Sequence, residues 1–239
     1  TRLPVLPTVA AILLIPAFVA LGYWQLQRAE EKRVLQTEYD RRASAPPTRL
    51  DAVPQTAQAL QFRRVIASGE YRPEHQVLID NRVHRGVPGY HVITPLALER
   101  GASYVLINRG WVALGPDRQT LPALDTPAGT VTVAGVATVP HEGGLRLGPD
   151  EAPGAPVWQR LDIERYAQRL NAPLAPVVIL LDPGSDAGGF VRDWTRLDAG
   201  IAVHQGYAFQ WFALAAAAIV LYGVLARRAY KSGSPRSVS

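Results

Sequence analysis

The 239-residue sequence contains no cysteine and no methionine. Without cysteine no disulfide can form, and thiols give no clue to the redox compartment. Copper(I) handling needs soft thiolate or thioether ligands, so a copper chaperone role has no ligands to work with. A chain that begins at Thr1 rather than Met is expected to have lost residues ahead of it. Catalytic patterns are lacking as well. There is no G-x-S-x-G elbow, no H-E-x-x-H pair and no G-x-x-x-x-G-K-[ST] loop, so an enzyme is not expected. The run Gly143-Gly144-Leu145-Arg146-Leu147-Gly148 sits between Pro140 and Pro149 and reads as a loop.

Charge is missing from two long stretches, Leu3 to Gln27 and Gln205 to Ala226. At 1.5 Å per residue, about 20 apolar residues cross a hydrocarbon core of roughly 30 Å, so both are read as transmembrane helices. The first run is longer than the roughly 7–15 residues of a signal-peptide core, and Tyr23-Trp24 at its outer end resemble an interface anchor. It is therefore expected to stay as an anchor. Net charge is also missing from the intervening segment. Of 25 Lys and Arg, five (Arg2, Arg227, Arg228, Lys231 and Arg236) lie outside the spans, leaving 20 basic against 20 acidic residues between them. A neutral domain offers no basic groove, and no nucleic-acid partner is expected. The basic tails place both chain ends in the cytoplasm by the positive-inside bias, and the domain in the periplasm. High Arg and Ala with few Lys points to a bacterial inner membrane.

The expected order is a first transmembrane helix at 3–27 and a helical extension with linker at 28–60. A β-rich domain at 61–204, a second transmembrane helix at 205–226 and a basic cytoplasmic tail at 227–239 follow. The stretch from Gln25 to Arg42 has no Gly or Pro, so the first helix should continue out of the bilayer until Ala45-Pro46-Pro47 stops it. Short β-branched segments bounded by turn residues predict strands at 62–68, 76–81, 90–95, 104–111, 130–139 and 177–181. Tyr104-Val105-Leu106-Ile107 reads as a strand buried on both faces. Residues 140–156 read as a long loop. Asp162 is a plausible N-cap for one helix ending near Leu170, with Ile163, Tyr166 and Leu170 on one face. The fold class is thus a membrane protein with two transmembrane helices flanking one β-rich α+β extramembrane domain.

His75, His84 and His91 are separated by nine and seven residues, which fits no single helical face, so they read as solvated loop histidines rather than a metal site. Arg82 and Arg109 end two predicted strands and present forks suited to carboxylate or phosphate. Pairing with Asp80 and Asp117 is the simpler expectation. Trp111 reads as a core or interface aromatic. The most informative stretch opens the second span. In a helix, His204, Tyr207, Ala208 and Trp211 follow i, i+3, i+4, i+7 and share one stripe, and Tyr23, Trp24 and Gln25 occupy the same depth on the first span. A neutral imidazole among aromatic rings, with its second nitrogen bonded to a nearby Gln or backbone group, is a sound axial site for haem iron. An interfacial aromatic belt explains the same residues.

Leu21-Gly22-Tyr23-Trp24-Gln25-Leu26-Gln27-Arg28 resembles the L-G-x-W-Q-x-x-R signature of the Surfeit locus protein 1 family. Gly69-Glu70-Tyr71, Leu78-Ile79-Asp80-Asn81-Arg82 and Gly89 to Leu96 resemble its central motifs, and Val105 to Val112 its V-N-R-G-W segment. His204 to Phe212 is similar to its H-x-x-Y-A-x-x-W-F opening of the second span. The matches stand in family order over nearly the whole chain. The resemblance implies an assembly factor of haem-copper cytochrome c oxidase, a chaperone that binds haem a and aids its placement in the catalytic subunit. It puts the haem-associated histidine on His204, with Tyr207 and Trp211 shaping the pocket and Trp24 facing it. The implied partners are the oxidase catalytic subunit, haem a synthase and the lipid bilayer. Gln205 departs from the family, adding a polar side chain beside His204. The alternative is a scaffold that binds oxidase subunits without holding haem.

Overall fold

The computed structural model describes residues 5–51, 56–99, 103–116, 120–140, 152, 154–194 and 200–232. Two helices, α1 (Val5–Ala43) and the C-terminal helix at Ile201–Ser232, are long and apolar enough to cross a membrane. Between them lies a β-rich extramembrane domain, so the molecule is a membrane protein with two transmembrane helices flanking one domain. The chain divides into two compact units, residues 1–37 with 196–239 and residues 38–195. As expected, α1 runs unbroken past the apolar stretch and stops at Ala43, three residues ahead of Pro46 in the Pro46-Pro47 pair that cannot continue a helix.

The domain is built on one eight-stranded sheet. Its strands are β1 (Thr48–Arg49), β2 (Arg64–Tyr71), β3 (Val77–His84), β4 (Val87–Leu98), β5 (Tyr104–Ala113), β6 (Thr130–Thr138), β7 (Val157–Trp158) and β8 (Leu174–Leu181). The pairings β2–β6, β6–β8, β8–β5, β5–β4 and β4–β2 close a five-stranded barrel. The twelve-residue β4 makes the closure possible. It pairs with β3 over Val87 to Ile93 and with β2 over Leu96 to Leu98. Period-two sequence decides which side chains turn inward: along β2, Val65, Ala67, Gly69 and Tyr71 are buried while their neighbours are half-buried. Leu96, Val105, Ile107, Val133, Val177 and Ile179 join Val65 in the barrel core.

A second apolar layer lies outside the barrel. Two short helices punctuate the domain, α2 (Ala57–Leu60) and α3 (Ile163–Leu170). The Asp162 carboxylate accepts the Arg165 N–H at 3.0 Å and caps α3, whose chain leaves through the left-handed Asn171. Tyr166 then packs with Trp158, Leu106, Ile79 and Val178, as the predicted Ile163–Tyr166–Leu170 face requires. The C-terminal helix, Ile201–Ser232, is α4.

Several expectations change. The predicted linker contains β1, which pairs with β2 in parallel, and α2, whose Leu60 is buried. The end of α1 packs on the domain through Tyr39, edge-on to Phe62 at 5.4 Å, and Arg42, which donates to the carbonyl of Gln58 at 3.1 Å. The predicted loop at 140–156 lies mostly outside the described residues, and β7 follows it unannounced by any pattern in the sequence.

Candidate functional site

Within the helical unit, α1 and α4 run antiparallel: the Thr8 hydroxyl lies 3.2 Å from that of Tyr222, Phe18 stacks on Trp211 and Gln25 meets His204. Two stripes make this seam. Phe18, Gly22, Gln25 and Ala29 recur at four- and three-residue intervals on α1, and His204, Ala208, Trp211 and Ala215 do so on α4. Gly22, Ala29, Ala208 and Ala215 are buried, so small residues let the helices approach. At Gly22 there is no room for a side chain: a Cβ there would stand 2.7 Å from the Phe212 ring.

His204 is half-buried, and its Nδ1 lies 2.7 Å from Gln25 Oε1. An amide oxygen can only accept, so Nδ1 carries a proton, and in the neutral ring the lone pair is then on Nε2. Nearby along the seam, the rings of Phe18 and Trp211 stack at 5.8 Å and Tyr23 meets Phe212 edge-on at 5.6 Å. The seam therefore joins His204 and Trp211 of the predicted site. It does not include the other two. Tyr207 is 49% exposed, about 60° around the helix from His204. Trp24 is 48% exposed, about 100° from Gln25, with the Arg28 guanidinium 5.8 Å from its ring. Sequence reasoning places Gln25 at the depth of His204 and a Gln on its second nitrogen, and misses Phe18. The signal for Phe18 is the four-three spacing that matches the stripe on α4.

The domain holds a second polar cluster, around Asn108-Arg109-Gly110-Trp111. Arg109 follows Val105 and Ile107 inward along β5 and is completely buried at one end of the barrel. It lies between the rings of Tyr71 and Phe190, each 5.0 Å from its guanidinium carbon. It donates to Thr126 Oγ1 at 2.7 Å, to Gln76 Oε1 at 3.3 Å and to the Asp125 carbonyl. The expected pairing with acid side chains fails here. Asp117 lies outside the described residues, and among those described no carboxylate forms an ion pair with Arg109. Burial pulls the Arg109 pKa down and pushes the neighbouring Tyr71 hydroxyl up to about 12. The cause is the end of the barrel itself, which admits neutral oxygens and ring faces in place of an ion pair.

His91 also departs from expectation. It belongs to β4 and not to a loop. Asn108 Nδ2 donates to its Nδ1 at 3.3 Å, and Trp194 meets it edge-on at 5.8 Å. Burial first and Arg82 second pull its pKa down to about 4, so the ring is neutral at pH 7. Trp111 lies across Gly89, where a Cβ would come within 2.6 Å of its indole, and donates to the Arg82 carbonyl at 2.8 Å.

The SURF1 family model matches residues 12–216. The chain belongs to the SURF1 family. Its relatives include a SURF1-like protein of Monosiga brevicollis, 26% identical and covering 91% of this chain and 87% of that one. Surfeit locus protein 1 of Mus musculus is 28% identical over 88% of this chain and 73% of its own. Cytochrome oxidase assembly protein SHY1 of Saccharomyces cerevisiae is 26% identical over 62% of this chain and 40% of its own. The family match takes in both helical stripes and the whole barrel.

Proposed function

We propose that this SURF1-family protein is a cytochrome c oxidase assembly factor that holds haem a through His204 and passes it to the oxidase catalytic subunit. Family membership and the name of the yeast relative support the assembly role. The Gln25–His204 hydrogen bond carries the haem reading. A belt histidine needs no partner that fixes its tautomer, whereas an axial ligand needs a bare nitrogen held in a fixed direction. The donor set fits: one imidazole in the seam with Trp211, and Tyr207 and Trp24 on the adjoining exposed helix faces, where a bound disc would have to reach them. Haem would supply an iron open to an imidazole nitrogen and a broad apolar disc. His204 Nε2 would hold the iron, Gln25 would fix the ring's direction through its bond to Nδ1, and the seam rings would exclude water. The work is holding and handing over, not catalysis. The basic tails support cytoplasmic chain ends and a periplasmic domain in a bacterial inner membrane, with haem a synthase as the source.

The protein purified from cells that make haem a should carry haem visible in its absorption spectrum. His204→Ala should reduce that content at least about tenfold. A wild-type protein without haem, or an undiminished variant, removes the cofactor from the reading and leaves the scaffold. Gln25→Ala should loosen haem by roughly 10–100-fold while Gln25→Glu, which keeps an acceptor oxygen, retains it. Equal retention in both would mean that the amide does not orient the ring.

A further inference from the structure

The β3–β4 hairpin combines three properties that the helix seam does not use. First, β3 has a free edge. Its partner β4 covers one side from Val77 to His84, but on the other side β7 pairs only with Leu78 and Ile79. On that second side, no strand among the described residues pairs with 80–84. Second, Arg82 has no counter-ion. Among the described residues no carboxylate or other acceptor meets its guanidinium, and its Nε is shut off from solvent without a partner. Burial alone shifts its pKa, downward. A guanidinium that is half-buried, with its Nε–H shut off from water and unbonded, is costly unless something else supplies an acceptor. Third, apolar surface flanks it. Val83 is 69% exposed and Val87 is 48% exposed, with Trp111 half-buried beside His84 at 5.2 Å.

We propose that the free edge of β3 docks an extended acidic segment of a partner protein, with Arg82 receiving one of its carboxylates. The Asn81 N–H already bonds the Asp80 carboxylate and the Arg82 carbonyl bonds Trp111, so a strand added beside Val83 and His84 would pair with backbone groups that face away from β4, its alternate side chains falling on opposite faces. On the face of Arg82 and His84, an acidic side chain meets the partnerless guanidinium. On the face of Val83, an apolar side chain covers exposed surface. Edge strands are often guarded by charge that prevents pairing, but a guarding charge is well solvated, and Arg82 has a buried, unbonded Nε. The proposal is independent of whether His204 holds haem, because every group it uses belongs to the domain.

The test uses the full chain in phosphatidylcholine nanodiscs and a fluorescein-labelled probe of about eight residues alternating Val and Glu. The matching Val/Gln peptide, acetate and inorganic phosphate serve as comparisons. The Glu probe should bind at least about tenfold tighter than the Gln probe. Arg82→Gln should erase that difference, Arg82→Lys should keep part of it, and Val83→Asp should weaken both peptides. Equal affinity for the two peptides, or an unchanged preference in Arg82→Gln, overturns the proposal. So does acetate or phosphate binding as tightly as the Glu probe, since the site then serves a small anion. Unfolding of Arg82→Gln overturns it too, because Arg82 would then be a structural group.

Discussion

Arg109→Ala is expected to lower the unfolding free energy of the domain by about 3–5 kcal/mol, read by urea denaturation followed through the sheet's circular dichroism. Two losses combine. The truncation opens a cavity between the Tyr71 and Phe190 rings, which now stack on the guanidinium from both sides. It also leaves acceptors unpaired. The Gln76 oxygen retains the Thr94 hydroxyl at 2.7 Å, but the Asp125 carbonyl and the Thr126 hydroxyl lose their strongest donor. The opposing effect is relief of a buried charge without a carboxylate partner. That relief would win only if the acceptors were removed as well, as when a whole ionic group is replaced by apolar residues. Arg109→Met separates the two losses, since it refills most of the volume and supplies no donor. It should recover part of the stability and no more. An alanine variant within about 1 kcal/mol of wild type would show that the barrel end is indifferent to Arg109, leaving the residue free to bind a ligand. Against a total of roughly 5–15 kcal/mol, the expected loss would deplete the folded domain in cells even with the helix seam intact.

The same residues show what is legible in a sequence alone. The two membrane spans can be read directly, because soluble helices rarely go twenty or more positions without a charge. The strand at Tyr104–Ile107 is legible because β-branched and aliphatic residues run unbroken, and α3 because Asp162 and its amphipathic face agree. What stays hidden is pairing across distance. Nothing local shows that β4 divides its edge between β3 and β2, so barrel closure has no signature. β1 and β7 have two residues each, too short for periodicity. Arg109 misleads for a related reason. A strand-terminal arginine is usually solvated and paired with acid, and only closure of the barrel turns this one inward. The helix site lies nearer to the surface of the sequence. His204 and Trp211 are visible as a stripe, but Trp24 lies about 100° around α1 from Gln25, and only the packing shows which of the two meets α4.

His91 should make the domain acid-sensitive in a defined window. Its folded pKa is depressed to about 4, while in the unfolded chain an imidazole titrates near 6.5. Above that upper value neither state binds the proton, and the contribution to stability is fully present. As pH falls from about 6.5, the unfolded chain gains a proton that the folded chain refuses, so stability declines by up to about 1.4 kcal/mol per pH unit. Near pH 4 the folded form takes the proton too and the loss levels off, at roughly 3 kcal/mol in all before any allowance for solvent screening. The groups facing the ring all work in that direction. Arg82 repels an imidazolium, Asn108 donates to Nδ1 and so favours the neutral form, and Trp194 offers its edge and no carboxylate. His91→Gln keeps an amide acceptor for Asn108 and removes the titration. Subtracting its stability curve from that of wild type should therefore leave a single-proton decline between pH 6.5 and 4. Parallel curves for the two proteins would mean that the imidazole accepts its proton as easily in the sheet as in water, and that Arg82 is too well solvated to oppose it.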